Sequence, residues 1–531
     1  MSNPALHLLT YYINTANAAN SRRDYADAFK WSKQALALDN AIPEAWYNLG
    51  IAEHGRGNQR EALQAFLKAQ AGSLRSSDAQ NSIGLKLLEL GAYSEAEQCL
   101  KLSISLSPEY AIAHSNLGKL RLQQGRLDEA EACFRTAIRL QPAVAVFYSN
   151  LAGTLHEMFR GKEAEELGRR AIELDPRLPQ AWCTLGSALA SLARDVEAVA
   201  CFDQALKLDP AYWDAHWNQC LAYLRLRRYE EGWEKFDTRW QIDEFDLKPL
   251  TTRKLLWRGQ SSNQPLLIWG EQGIGDQILY AGILPELQAL PQKKYVALDK
   301  RLIPLFQRSM PGFEFFDLRQ VNDAIDFAEQ LPMGSLPRYF RPTKESFAAA
   351  RHPYLTADPE RTANLRQKLF RIGKRVVGVS WSSSRKNIGH HKSIALEQML
   401  APLATNQLHF VNLQYGDTVA ERLALQDKHG ISVQNIDEVD NFNDIDGLAA
   451  LIQACDIVMT TSNSTAHLAG ALGKETLLLL PLGKGKFWYW VEHEGHTPWY
   501  PSIRMFAQAQ AGQWQEPLEK IRAHIENMQW N

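Results

Sequence analysis

The sequence predicts two architectures joined end to end. A superhelix of α-helical hairpins occupies residues 1–245, and after a connector at 246–262 come two α/β domains, 263–357 and 358–531. Three observations carry this assignment. A strict 34-residue self-similarity runs through the first half, it stops after Arg239-Trp240, and from there short apolar runs alternate with helical stretches.

The repeat comes first. Trp46, Gln80, His114, Tyr148, Trp182 and His216 recur every 34 residues, and four positions later each unit holds a small residue: Gly50, Gly84, Gly118, Ala152, Gly186 and Cys220. Twelve positions further on stand Ala62, Ala96, Ala130, Ala164 and Ala198, with Gly232 in the last unit. Bulky residues follow at Phe66, Leu100, Phe134, Phe202 and Phe236, and Pro108, Pro142, Pro176 and Pro210 punctuate the units. Small residues at fixed places let two helices of a hairpin approach closely, large ones fill the space between hairpins, and proline ends the second helix. Ala28 and Ala35 fit a weaker unit at the front. Cys99, Cys133 and Cys201 share one repeat position, which makes them packing residues.

This pattern resembles the tetratricopeptide repeat, TPR. The resemblance implies about seven units between residues 9 and 245, a right-handed superhelix and a concave face suited to a segment of a partner protein. Self-association through the repeats is the other role it allows.

Composition bounds the rest. At 531 residues, with 45% apolar and 22% charged residues, the chain is ordinary globular material in about three domains. Lys plus Arg number 58 against 60 Asp plus Glu, a net charge of −2 with no electrostatic footprint of a nucleic-acid binder. The six cysteines form no CxxC pair and no zinc spacing, as in a reduced cytoplasmic protein. The first 23 residues lack a signal-peptide pattern, and the longest apolar stretch, around Thr476–Leu482, is far shorter than a membrane span. A soluble, cytoplasmic protein is expected.

In the second half, strands are predicted at Pro265–Trp269, Tyr295–Leu298, Val376–Trp381, His409–Leu413, Ile457–Thr460 and Thr476–Leu480. The proline-bearing stretch Leu336–Asp358 divides them into two Rossmann-like sets. The first opens with a strand running into Gly270-Glu271-Gln272-Gly273-Ile274-Gly275-Asp276 and a helix. Its glycines permit a tight turn and a close approach of backbone N–H groups to a ligand. The spacing is neither that of a dinucleotide fingerprint nor that of a P-loop. Asp276 is either a helix cap or a chemical group.

In the last domain a strand ends at Thr460-Thr461, followed by Ser462-Asn463-Ser464-Thr465-Ala466-His467 and a helix of small residues. Hydroxyls, an amide and an imidazole at a strand's carboxyl end suit an anionic ligand. Ser380–Lys386, with Ser382 and Ser383, and then His390, His391, Lys392 and Ser393 follow a second strand; Gly483-Lys484-Gly485-Lys486 follow a third. Three strand ends of one sheet thus converge on polar and basic groups.

Together, the GEQGxGD loop, the WS…KS segment, the TAHLAGALGK helix and the terminal WYPS resemble bacterial TPR proteins fused to a GT-B glycosyltransferase, similar in their second half to heptosyltransferases and, more distantly, to O-GlcNAc transferase. The resemblance spans nearly the whole chain. It implies an inverting, metal-independent transfer from a nucleotide-sugar on the second Rossmann-like domain to an acceptor on the first. Asp276 then matches the general base. Lys392, with Ser382, matches the group that neutralises the departing phosphate. Asn463, Ser464, Thr465, His467 and Lys484 lie on the donor side; Gln272, Gly273 and Gly275 form the acceptor-side loop.

One departure stands out. Many relatives carry Asp-Thr where this chain has Ser462-Asn463, and losing a carboxylate there suits an anionic donor sugar. The resemblance extends to flagellin-modifying enzymes that take nonulosonic acids from CMP-activated donors. Asp444-Ile445-Asp446 has the spacing of a metal-binding DxD, but reads as helix capping and surface charge. The expected function is therefore O-glycosylation of Ser or Thr in a protein, flagellin being one candidate. A catalytically inactive nucleotide-sugar sensor and a transferase acting on a glycan or lipid are the alternatives.

Overall fold

The structure is a computed structural model; it describes residues 3–242, 249–321, 325–383, 389–405, 407–483, 486–492, 495–510 and 512–528. The chain divides into two compact units, Met1–Ala188 and Leu189–Asn531. The dividing point falls inside the repeat array, not at its end near residue 245.

Helices between Asn3 and Lys235 fall into seven successive pairs, as the repeat period predicts. The period also explains their packing. A Cβ added at Gly50 would lie 2.6 Å from the Phe66 ring, and one at Gly118 would lie 2.8 Å from Phe134. The bulky residue sixteen positions on therefore sits on the small one. Ala62, Ala96, Ala130, Ala164 and Ala198 are wholly buried. Cys99 is buried as well, and burial pushes its thiol up to about 12, so it packs and does not react. The turn inside each pair has its own repeat: Arg23, Gly57, Gly91, Gly125, Phe159, Ala193 and Arg227 all have positive φ, between 59° and 84°. Only three of the seven are glycine, which suits left-handed backbone best.

In the second unit the last repeat helices, Asp195–Leu208, Trp213–Arg225 and Tyr229–Lys235, lead through a 3₁₀ turn, Phe236–Gln241, into two sheets. The first sheet contains β1 (Leu255–Leu256), β2 (Leu266–Trp269), β3 (Lys294–Leu298), β4 (Glu314–Asp317) and β5 (Glu329–Pro332), all parallel, in the order β1-β5-β2-β3-β4. Part of the supposed connector is thus structural: β1 adds an edge strand, and the neighbouring Trp257 is fully buried with its indole donating to the Gln260 carbonyl at 2.7 Å.

The second sheet contains β6 (Arg375–Ser380), β7 (Leu408–Asn412), β8 (Val433–Gln434), β9 (Ile457–Thr461), β10 (Thr476–Leu480), β11 (His496–Thr497) and β12 (Tyr500–Ala507). Its order is β11-β12-β10-β9-β6-β7-β8, and only β11 is antiparallel. Strands β2, β3, β9 and β10 are buried at every position, because helices cover both faces of a parallel sheet. Strand order reverses between β2 and β5 in the first sheet and between β6 and β9 in the second. Ligands of open α/β sheets bind outside the carboxyl ends of strands at such points.

No helix among the described residues is long and apolar enough to cross a membrane.

Candidate functional site

The first half of the site grows from the end of β2. Gly270 leads into the loop, where a Cβ would lie 2.6 Å from the Gln277 side chain, so only glycine fits without displacement. Buried Gln277 ties the loop down: its amide donates to the Gln272 carbonyl at 2.8 Å and accepts from the Asp299 amide, beyond β3, at 2.9 Å. Gly273 starts the helix Ile274–Ala281 and supplies no side-chain cap. Asp276 therefore enters the first turn beside backbone N–H groups, partly buried. Its charge helps hold the phenols of Tyr280 and Tyr500 in their neutral form, burial being the larger cause for both.

Glu271 in the same loop points the other way. Its side chain is 2% exposed and meets the Arg239 guanidinium, wholly buried, at 2.9 Å. One carboxylate oxygen has no hydrogen-bond partner, and burial raises the carboxyl above its ordinary range despite Arg239. Arg239 also reaches Asp237 at 2.7 Å and Ser335 at 2.9 Å. The residue that closes the repeat array thus holds the base of the loop.

The second half is built at the β6–β9 switch point. Gln414, after β7, accepts from Ser380 Oγ (3.0 Å) and from the Trp381 and Ser382 amides (2.9 Å each). Asn463 locks the other side. Its Oδ1 caps the helix Ser464–Ala471 through the Thr465 and Ala466 amides, at 3.0 and 3.3 Å. Its Nδ2 donates to Ser380 Oγ at 2.8 Å and to the Ser382 carbonyl at 3.2 Å. The Asn463 amide is thereby committed within the protein, to capping and to strapping β6 against β9. Ser462 accepts from the Trp490 indole at 2.8 Å. Thr465 is buried with its hydroxyl unpartnered, and Ser464 is partly exposed at the helix start.

His467 lies one turn along this helix, 3% exposed, stacked on Trp490 at 5.0 Å and edge-on to Tyr489 at 5.2 Å. Burial first, then the Lys392 charge, depress its imidazole to about 3, so the ring is neutral at pH 7. Lys392 is itself buried, with Nζ 4.7 Å from the centre of the Phe487 ring. Ser393 is its sequence neighbour and ties the Ser383 amide (3.1 Å) to the Gly389 carbonyl (2.7 Å). Ser382 is partly exposed beside them. Lys484, with Ser384, Arg385, Lys386 and Gly485, lies outside the described residues.

The two halves meet. A Cβ on Gly275 would lie 3.0 Å from His467 Cδ2 and 3.7 Å from Ser464 Cα, so the first sheet's loop helix abuts the second sheet's loop helix at that glycine. The loop helix that carries Gly275 and Asp276 is therefore packed against the helix that carries Ser464 and His467, about 190 residues away in the sequence. Gln272 and Gly273 lead into that loop helix, and the Lys392 charge acts on the His467 imidazole. The DxD triplet lies elsewhere: Asp444 caps the Gly447 amide at 2.8 Å and pairs with Arg361, while Asp446 pairs with Arg308. Among the described residues no group of three His, Cys, Asp or Glu is placed to hold a metal ion.

Sequence reasoning did not find Gln414, Tyr354 or Trp490, and it quoted Tyr500 only as part of the terminal WYPS motif. Each lies far from the motif it supports, and only the strand order brings it there.

Comparison with known proteins supplies the following. Tetratricopeptide-repeat models match residues 111–143, 144–174 and 183–238, so the N-terminal region carries these repeats. Such arrays commonly bind protein partners. The chain is similar to Protein FlbA of Caulobacter vibrioides, 31% identical over 317 residues, covering 56% of this chain. It spans about half, 52%, of FlbA's length. Among solved structures it is similar to PilF of Pseudomonas aeruginosa (20% identity, 40% of this chain and 97% of that one, TM-score 0.34). It is also similar to YrrB, a TPR protein with an unusual peptide-binding site (22% identity, 34% and 93%, TM-score 0.26).

Proposed function

We propose that the second unit is a GT-B-type glycosyltransferase, which moves a sugar from a nucleotide-sugar to a Ser or Thr hydroxyl of a protein captured by the repeats. The reading rests above all on the abutment of Gly275 on His467 and Ser464, which brings together the loops that follow the switch-point strands of two parallel sheets.

In this mechanism the Asp276 carboxylate accepts the acceptor's O–H proton as that oxygen attacks the anomeric carbon. The bond from that carbon to the phosphate oxygen breaks, and its electron pair leaves with the phosphate. Lys392 offsets the charge that develops there, and attack opposite the leaving group inverts the anomeric centre. A carboxylate in the first turn of a helix is held ionised by the backbone dipoles, as a base must be. Donor and acceptor enter from opposite sheets, so neither has to displace the other. Flagellin is the acceptor and a CMP-nonulosonic acid the donor favoured by the sequence resemblance and by Ser462 standing where a carboxylate is usual.

The test is incubation of the full chain with flagellin and with UDP-, GDP-, ADP- and CMP-sugars, reading the acceptor's mass. A sugar-sized mass increase is expected, falling by roughly 10²–10⁴-fold in rate for Asp276→Asn with donor binding retained. Nucleotide binding without transfer to any acceptor would make the protein a sensor; transfer to a glycan or lipid alone would overturn the protein-acceptor reading; full activity in Asp276→Asn would remove the base.

A further inference from the structure

The turn between the helix Pro359–Leu369 and β6 departs from the rest of the second unit's surface. Residues 370–374 are all exposed, and two of them are large and apolar: Ile372 is 91% exposed and Phe370 62%. No other large apolar side chain among the described residues is as exposed as Ile372. The turn itself does not need that side chain. It is closed by the Lys374 amide, which donates to the Arg371 carbonyl at 3.1 Å, and Gly373 supplies the left-handed residue with φ 70°. Fully buried Leu369 anchors the end of the preceding helix. The tip of such a turn ordinarily carries a polar residue.

Positive charge surrounds this tip. Residues 366–375 read Arg-Gln-Lys-Leu-Phe-Arg-Ile-Gly-Lys-Arg, five cations without a carboxylate. Arg366 and Lys368 are paired with Asp456 and Glu438. Arg371 instead donates to neutral oxygens: the Lys368 and Phe370 carbonyls, at 2.9 and 2.8 Å, and Gln434 Oε1 at 3.3 Å. His409 Nε2 meets the same Gln434 oxygen at 2.8 Å. Burial first, and then the Arg371 and Lys374 charges, lower that imidazole against the pull of the Gln434 hydrogen bond, so both cations gather near one ring.

We propose that the turn 370–374 docks the protein on an anionic lipid surface, with Ile372 and Phe370 entering the boundary between headgroups and acyl chains while Arg371 and Lys374 meet lipid phosphates. A bilayer suits this shape better than a protein does. A stable protein interface needs about 800 Å² on each side, whereas a projecting tip is buried completely only in a medium that closes round it. The docking does not depend on the transferase reading, but it bears on the acceptor. Strand β6 runs from this turn to Ser380, so the candidate site lies at the opposite end of the strand, about 20 Å away. An acceptor in solution reaches that end freely; one embedded in the same bilayer does not.

The experiment is flotation of the full chain with phosphatidylcholine vesicles, with and without phosphatidylserine. Binding is expected to the anionic vesicles alone, and it should weaken with added salt. Lys374→Gln should lower the partition coefficient roughly fivefold, the effect of one cation at such a surface. Ile372→Ser should lower it roughly tenfold, and thermal unfolding should be unchanged in both variants. Equal binding to neutral vesicles, no binding to either kind, or anionic binding that both variants leave intact would each overturn the proposal. Retention on immobilised poly-glutamate in place of vesicle binding, lost in Lys374→Gln, would overturn the bilayer and make the turn a docking point for an acidic protein segment.

Discussion

Arg239→Met is the sharpest probe of how the repeat array is joined to the site. Arg239 is wholly buried and meets Glu271, itself 2% exposed, at 2.9 Å, with no other cation on that carboxylate among the described residues. Removing one partner of such a pair leaves an uncompensated buried charge and typically costs about 3–5 kcal/mol, whereas removing both is often close to neutral. Arg239→Met should therefore lower the stability of the second unit by that amount at pH 8, and Arg239→Met with Glu271→Gln should recover most of it. The sign with pH follows from Glu271. Without Arg239 its folded-state carboxyl rises further above the unfolded value of about 4.3, so the penalty is complete above the folded pKa and fades as pH falls towards the unfolded one. The loss should shrink between pH 8 and pH 5. Urea titration followed by tryptophan emission reads it, because Trp240 stacks on the Arg239 guanidinium at 4.5 Å and neighbours Trp269 at 5.8 Å. A pH-independent loss, or a single variant within about 1 kcal/mol of wild type at pH 8, would refute the claim that an ionised Glu271 depends on this arginine.

Two further outcomes are expected. Gly118→Ala places a methyl 2.8 Å from the buried Phe134 ring and should cost about 1–3 kcal/mol in thermal unfolding of the first unit, with the chemistry of the second unit unchanged. Asn463→Ala removes a helix cap, the Nδ2 donor to Ser380 and one of the two acceptors of the Thr460 hydroxyl, and should cost about 1–3 kcal/mol by urea titration while weakening nucleotide binding. In that position Asp should restore the cap but not the two donated bonds, giving an intermediate value.

What was legible in the sequence follows a physical rule. The repeats announce themselves because each hairpin solves the same packing problem, so the small and bulky positions recur at one period. Their left-handed turn position is half hidden, since Arg23, Phe159, Ala193 and Arg227 accept a conformation that only Gly57, Gly91 and Gly125 advertise. Central strands such as Leu266–Trp269 and Thr476–Leu480 are apolar on both faces and were readable. Glu314–Asp317 and Glu329–Pro332 are short, carry carboxylates or proline, and drew no strand assignment, and Tyr500–Ala507 is half exposed along its length. The motif residues Asp276, Lys392 and His467 could be picked out from their local context. Gln414 and Tyr354 could not, because their contacts depend on which strands and helices are neighbours, and β6 and β9 lie about 80 residues apart in the chain.

The same geometry changes how the Ser462-Asn463 departure is to be understood. Read from sequence, the pair suggested two ligand-facing groups with a carboxylate missing. Yet the Asn463 amide is spent on the helix start and on β6, and the Ser462 hydroxyl takes the Trp490 indole hydrogen. Trp490 is in turn the ring on which His467 stacks. An aspartate at 462 would accept that indole hydrogen equally well, but it would bring a buried negative charge to the group that orients His467, close to where Lys392 already acts on the imidazole. On the proposed reading, the substitution acts through charge near the His467 imidazole. The polar groups of this loop that those bonds leave are Ser464 at the helix start, the unpartnered Thr465 hydroxyl and the imidazole of His467, whose Nδ1 is hydrogen-bonded with the Tyr500 hydroxyl.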